Sequence, residues 1–224
     1  MFATGTSPVW PTRPHQPMLH PFEEDSVADS MLAEAPGGAR LKAFCPGDEQ
    51  HESGVRELTA HAYWLPGGAL AIRYRLDADL RRLRIPQPAK DGAADELWRH
   101  TCFEAFIAVP GAQAYREFNF SPSGQWAVYA FDAWRERDAA FVAATAPRVR
   151  IERAAHELVL VASLPAALLP ARSAVCVGLC AVLEHANGTL EYWALHHPAP
   201  QPDFHHRDGF VLELAQPSAE NIHD

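Results

Sequence analysis

The segment that decides the fold is Leu97–Phe131, with the sequence LWRHTCFEAFIAVPGAQAYREFNFSPSGQWAVYAF. Its first half alternates with the period of a β-strand, and one parity of that alternation mixes polar with apolar side chains. The residues of this parity are Trp98, His100, Cys102, Glu104 and Phe106. Polar groups therefore cluster on one face of the predicted sheet.

A second strand and a tight turn complete the segment. In Tyr115–Phe120, Glu117 and Asn119 alternate with large side chains. The next four residues, 121–124, read Ser-Pro-Ser-Gly, with Pro suited to the second position of a turn and Gly to a positive φ. We therefore expect Gln125–Phe131 to return antiparallel to the second strand.

The register of these strands follows from the loop between them. If residues 110–113 form a four-residue loop, Val109 pairs with Ala114. Glu104 then lies opposite Asn119, and Glu117 lies on the diagonal, about 7–8 Å away at the backbone. Two carboxyl groups and one amide are thus predicted to share a patch. Sugars suit such a patch because their hydroxyls donate to carboxylates and accept from amides.

Short strands separated by Gly, Pro and Asp continue along the chain from Leu41, which predicts an all-β fold, a β-sandwich of jelly-roll type. Hairpins are predicted at 66–68 and at Asn187-Gly188, the latter as a two-residue type I′ turn. Only Ala133–Ala140 and Ala166–Leu169 suggest short helices. The predicted strands are Leu41–Phe44, Val55–Trp64, Ala69–Leu76, His100–Val109, Ala114–Phe120, Gln125–Phe131, Arg148–Glu152, Leu158–Leu164, Val175–Glu184, Leu190–Leu195 and Phe210–Leu214.

The two ends of the chain differ from this body in composition. Residues 1–39 contain six Pro and few periodic apolar positions, which predicts a disordered extension. We place the folded domain at residues 40–215 and a disordered tail at 216–224.

The charge and the hydropathy of the chain argue against nucleic-acid and membrane partners. The chain of 224 residues has a formal net charge of -9, but residues 40–214 are nearly neutral, with 18 basic against 21 acidic side chains. This balance argues against nucleic acid as a partner. The sequence lacks both an apolar run long enough to span a bilayer and a secretory leader pattern. We therefore expect a cytoplasmic protein without a membrane partner, with its cysteines reduced.

The motifs LWxHTCFE, EFNFSPSGQW, YWALxHP and PDFHH resemble those of the DOMON-like, type 9 carbohydrate-binding-module superfamily, and of a bacterial DOMON-like branch in particular. The resemblance covers nearly all of residues 40–214 and implies a β-sandwich that binds a sugar without catalysis. It implies that Trp98 forms one wall of the site. Phe204, where these proteins usually carry Trp, corresponds to the other wall. The predicted ligand-binding residues are Trp98, Glu104, Glu117, Asn119, Phe204 and His205.

The residues also permit structural interpretations of the same positions. Glu104 can be a buried carboxylate that pairs with Arg99 or Arg207. Glu117 can face solvent, and Asn119 can cap the turn that follows it.

Other functions remain open from the sequence. The leading alternative is a protein-interaction module that binds a partner instead of a small ligand. Glu104 and Glu117 can form the acid pair of a glycoside hydrolase, although no long cleft-building loops are evident. The pairs His196-His197 and His205-His206 can ligate metal, with Asp203 or Glu191, or haem. Their spacing matches no named site, so we expect no cofactor and no metal.

Overall fold

The computed structural model of the protein describes residues 39–45, 54–170 and 174–216. The predicted disordered ends lie outside these ranges, except that the first strand begins at Ala39 and Gln216 is described. Within the described ranges the helices are short 3-10 turns, and none is long and apolar enough to cross a membrane.

The described residues contain fourteen strands, and each of the eleven predicted strands overlaps one of them. In chain order they are β1 (Ala39–Arg40), β2 (Lys42–Ala43), β3 (Val55–Trp64), β4 (Leu70–Ala78), β5 (Gly92–Ala93), β6 (Cys102–Ala108), β7 (Tyr115–Phe120), β8 (Gln125–Ala133), β9 (Glu136–Arg137), β10 (Arg148–Arg153), β11 (Glu157–Leu164), β12 (Ala174–Glu184), β13 (Leu190–Ala194) and β14 (Leu212–Ala215).

These strands form two sheets, as predicted for a β-sandwich. The small sheet has the order β1-β3-β4-β11-β10. The large sheet has the order β2-β13-β12-β6-β7-β8-β5, with β14 paired to β12 and β9 paired to β8. Neighbouring strands are antiparallel except for the short pair β5 and β8. Glu104 lies opposite Asn119, which confirms the predicted register of β6 and β7.

The main core lies between the two sheets. Ile72 and Tyr74 of the small sheet are fully buried in one cluster with Phe103 and Phe118 of the large sheet. In β6 the odd-numbered residues face this core, as strand alternation requires. The Tyr74 hydroxyl also donates to the backbone oxygen of Glu104 at 2.6 Å, so the small sheet holds the middle of β6 in place.

A second apolar cluster covers the opposite, outer face of the large sheet. Its buried members include Phe106, Tyr115, Phe131 and Phe210. The rings of Tyr115 and Phe131 stack with centroids 4.8 Å apart. The even-numbered face of β6, on which the sequence placed its polar residues, is therefore buried on this outer side, and β6 is covered on both faces.

Of three local predictions, one is confirmed, one is confirmed only in part and one is wrong. Gly124 closes the turn after β7 with φ +91°, and its amide donates to the Ser121 oxygen, as expected. The turn near Gly188 is a hairpin but not type I′, because among its residues only Gly188 has a positive φ. The short helix predicted over 133–140 is wrong: β8 continues to Ala133, and β9 pairs back onto it.

Candidate functional site

A cleft of about 730 Å³ opens on the outer face of the large sheet. Its floor comes from β6, β7, β8, β12 and β13, and its rim from the segments before β6, around β9 and after β13. The residues that line it are Asp95, Glu96, Trp98, Glu104, Phe106, Glu117, Tyr129, Phe131, Arg135, Arg137, Val182, Tyr192, Pro202, Phe204 and His205.

Five of the six residues predicted to bind a ligand line this cleft, and Asn119 does not. Trp98 lies on a 3-10 turn before β6, outside the predicted strand His100–Val109, and it is 45% exposed. Phe204 lies in the segment after β13, with its ring edge-on to that of Tyr192. Asn119 is fully buried, and its side-chain amide donates to Glu117.

Glu104 is the most unusual residue of the floor. Glu104 is only 3% exposed, and its Oε1 atom is buried without a hydrogen-bond partner among the described residues. Burial and the neighbouring charge of Glu117 raise the pKa of this carboxyl well above its usual range. The arrangement leaves a buried polar atom unsatisfied, which is costly in the absence of a ligand.

Glu117 occupies the neighbouring strand with more partners. Asn119 Nδ2 donates to Glu117 Oε1 at 2.6 Å, and His205 Nε2 lies 3.7 Å from Glu117 Oε2. Burial raises the pKa of Glu117 to about 7, although the bond from Asn119 and the charges of Arg137 and Arg135 oppose that shift. The cleft thus contains two buried carboxyl groups that hold protons more tightly than exposed ones.

His205 fixes one side of the floor. Its Nδ1 lies 2.7 Å from the Tyr115 hydroxyl, and its ring packs edge-on against Phe106 and Phe131. Burial lowers the pKa of His205 to about 4, assisted by the charge of Arg135. The imidazole is therefore neutral near neutral pH and brings no positive charge to Glu117.

Asp203 connects the turn between β8 and β9 to the segment that carries Phe204 and His205. One of its oxygens accepts from Arg135 Nη2 at 2.8 Å and from the His205 amide at 3.1 Å. The other accepts from the Trp134 indole at 3.2 Å. The pKa of Asp203 is lowered, since these bonds outweigh its partial burial. We call this set of contacts the Asp203 latch.

The architecture of this chain is similar to that of solved carbohydrate-binding proteins. A provisionally assigned carbohydrate-binding protein from Bacteroides uniformis superposes with a TM-score of 0.64 at 13% identity, over 86% of this chain and 92% of that one. A family 9 carbohydrate-binding module from Caldicellulosiruptor kristjanssonii, solved in complex with glucose, superposes with a TM-score of 0.50 at 8% identity, over 82% of this chain and 88% of that one. The chain has the β-sandwich fold of a type 9 carbohydrate-binding module. No protein-family profile and no curated protein matches its sequence.

The type 9 fold of this chain brings several residues to the cleft that the sequence did not single out. Tyr129 and Phe131 could have been found, because they lie on the parity of β8 that pairs with Glu117 and Tyr115. Glu96 and Arg135 gave no such signal. Both have φ +57°, and they are the only non-glycine residues with positive φ among those described. Strained backbone of this kind concentrates at functional sites.

The structural alternatives for the predicted residues are not supported by the contacts. Arg99 pairs with Glu96, and Arg207 donates to the Val109 backbone oxygen, so neither neutralises Glu104. Glu117 is buried instead of facing solvent. The turn after β7 is capped by the Ser121 hydroxyl and not by Asn119.

The histidine pairs do not converge on one point. His205 is in the cleft, whereas His197 Nε2 contacts the Lys42 backbone oxygen at 2.8 Å and His206 accepts from the Asp208 amide. Glu191 contacts His185, and Asp203 belongs to the latch. In the described parts of the chain, His, Cys, Asp and Glu form no group of three that could hold a metal ion.

Proposed function

We propose that this protein is a non-catalytic module that binds a sugar, or a metabolite containing a sugar, in the cleft of the large sheet. The observation that carries the proposal is Glu104 Oε1, a buried carboxyl oxygen of the cleft floor without a partner among the described residues. A sugar hydroxyl supplies the missing hydrogen bond, and the free energy lost by leaving Oε1 unsatisfied is then recovered.

The walls of the cleft suit the rest of a sugar ring. Trp98 and Phe204 line it at the rim, and Tyr129 and Phe131 line it from β8 of the floor. The C–H groups of a pyranose pack against such rings while its hydroxyls reach the carboxyl groups. A small polar ligand is favoured over a protein partner because these residues form a concave surface instead of a flat apolar patch. The glucose bound to the module from Caldicellulosiruptor kristjanssonii supports the same choice.

The pair Glu104 and Glu117 favours one further candidate, a glycoside hydrolase. Such enzymes use two neighbouring carboxyl groups, one protonated through a raised pKa as the general acid and one ionised as the nucleophile or base. Here the two carboxyl groups are present, but the pKa values of both are raised. Binding without hydrolysis is preferred because the two solved structures compared above are described as a carbohydrate-binding protein and a carbohydrate-binding module, not as enzymes. Recovery of intact disaccharide after prolonged incubation with the protein tests this choice, and release of monosaccharide would establish the hydrolase instead.

Isothermal titration with a panel of mono- and disaccharides tests the proposal. We expect at least one sugar to bind the wild type, and Glu104→Gln to weaken that binding about 2- to 10-fold, because the amide replaces one oxygen that can accept a sugar hydroxyl and a hydrogen bond between neutral groups is worth about 0.5–1.5 kcal/mol.

The matched control is Glu152→Gln, the same chemical change at an exposed position of β10 in the small sheet. Glu152→Gln should bind like the wild type. The proposal is wrong if no sugar binds, or if folded Glu104→Gln binds as tightly as the control.

A further inference from the structure

We propose that the cleft selects a sugar bearing a positively charged amino group, which pairs with Glu104 and Glu117. This inference rests on the proposed sugar-binding function and specifies its ligand class. Two carboxyl groups lie at the floor of the cleft, and the arginines of its rim already pair with other acidic side chains.

The first observation is the absence of a cation at Glu104. Among the described residues no Lys, Arg or His lies within ion-pair distance of its carboxyl group, and its Oε1 is unpartnered. The titratable group that raises the pKa of Glu104 from the packed strands is Glu117, and Glu104 in turn raises the pKa values of Cys102, Cys180 and Tyr74. Nothing there supplies the positive charge that would stabilise the ionised form.

The second observation concerns the arginines of the rim, which are already engaged. Arg135 is held by Asp203 at 2.8 Å. The Arg137 guanidinium lies 4.1 Å from the centre of the Tyr129 ring and 4.0 Å from Asp95. Asp95 and Glu96 are paired in turn with Arg137 and Arg99, so the acidic side chains of the lining that have no ion pair with an arginine are Glu104 and Glu117. An anionic sugar would therefore meet occupied arginines at the rim and two carboxyl groups at the floor.

The third observation is the aromatic surface beside the carboxyl pair. Phe106 follows Glu104 by two residues on the same face of β6, and Phe131 lies on β8 across the floor. A cation near such rings gains attraction from their electron-rich faces, and this attraction increases when water is excluded. An ammonium group therefore fits both the carboxyl groups and the rings around them.

The proton balance of binding follows directly. The amino group enters as an ammonium ion, and a protonated carboxyl of the pair ionises and releases its proton to the solvent. No covalent bond forms or breaks. Binding of an aminated sugar should therefore release protons, whereas binding of an uncharged sugar to the same groups has no such requirement.

Calorimetric titration of the full chain with D-glucosamine, D-glucose, N-acetyl-D-glucosamine and cyclohexylamine tests this inference. Each titration is repeated in two buffers with different enthalpies of ionisation, so that released protons are counted. We expect glucosamine to bind about 10- to 100-fold more tightly than glucose or the acetylated sugar, with proton release. Glu104→Gln should remove this preference, and Glu152→Gln should keep it.

The four ligands separate the two proposals. If glucose or N-acetylglucosamine binds as tightly as glucosamine, the ammonium inference is overturned and sugar binding stands. Binding of cyclohexylamine that depends on Glu104, with no binding of any sugar, supports ammonium recognition and overturns the sugar. Binding of none of the four ligands overturns both.

Discussion

At the residue scale, the cleft keeps two carboxyl groups where their charged forms are disfavoured. Glu117 is the better probe of this effect because the Asn119 bond defines its geometry. Sequence alternation placed Glu104, Glu117 and Asn119 on one face correctly. It could not give their depth, because a residue on the correct face can line the cleft or lie beside it, as Asn119 does.

The raised pKa of Glu117 makes stability depend on pH. Between the ordinary value near 4.5 and its folded value of about 7, the folded protein binds a proton that the unfolded chain has lost. This contribution is fully present below the ordinary value and is lost as pH rises through about 7. Wild type should therefore lose up to about 3 kcal/mol relative to Glu117→Gln as pH rises from about 5 to about 8.

Chemical denaturation of both proteins across this range provides the measurement. His205 contributes with the opposite sign, since its lowered pKa adds stability as pH rises from about 4 to its ordinary 6.5. The comparison of two proteins that share His205 is designed to offset this contribution. A stability difference that stays constant with pH would show that Glu117 titrates normally.

At the element scale, the hairpin of β8 and β9 reaches the cleft through the Asp203 latch. The sequence suggested a helix here, because two polar residues of β9 form too short a strand to show alternation. The turn also lacks the glycine that usually marks positive φ, since Arg135 takes that position. The hairpins at 66–68 and 121–124 were predictable because Pro and Gly mark them.

Breaking the latch should loosen the segment that carries Phe204 and His205. In Asp203→Ala, the bonds from Arg135, Trp134 and the His205 amide are lost together. We expect faster hydrogen exchange at the His205 amide and about tenfold weaker binding of the sugar identified by titration.

The matched control for the latch is Asp208→Ala in the same segment. Its carboxylate is exposed and lies 4.0 Å from its nearest ion-pair partner, His206. This variant should exchange and bind like the wild type. Equal effects of the two substitutions would mean that any loss of charge in the segment, and not the latch, controls its order.

At the scale of the whole molecule, the two faces of the large sheet have different surroundings. One packs on the small sheet through Phe103 and Phe118, and the other forms the floor of the cleft. This division explains why β6 is buried along its full length yet carries a carboxyl group. Strand alternation and the motif resemblance together predicted the sandwich and the two carboxyl groups of the floor, Glu104 and Glu117. Of the rim, Trp98 and Phe204 were predicted from the resemblance. Arg135 and Arg137 were not predictable, because their approach to the cleft depends on tertiary contacts such as Arg137 with Tyr129.

The central claim is that a sugar binds in the cleft on the outer face of the large sheet. Its most direct measurement is a titration of the tryptophan indole signals by two-dimensional NMR, with assignment of Trp98 from a Trp98→Phe variant. Trp98 lines the cleft, whereas Trp193 lies in the core between the sheets and Trp126 packs against that core. The account predicts that the bound sugar shifts the Trp98 signal and leaves those of Trp193 and Trp126 in place. Saturation with the sugar that leaves Trp98 unmoved while either of the other two shifts would contradict it.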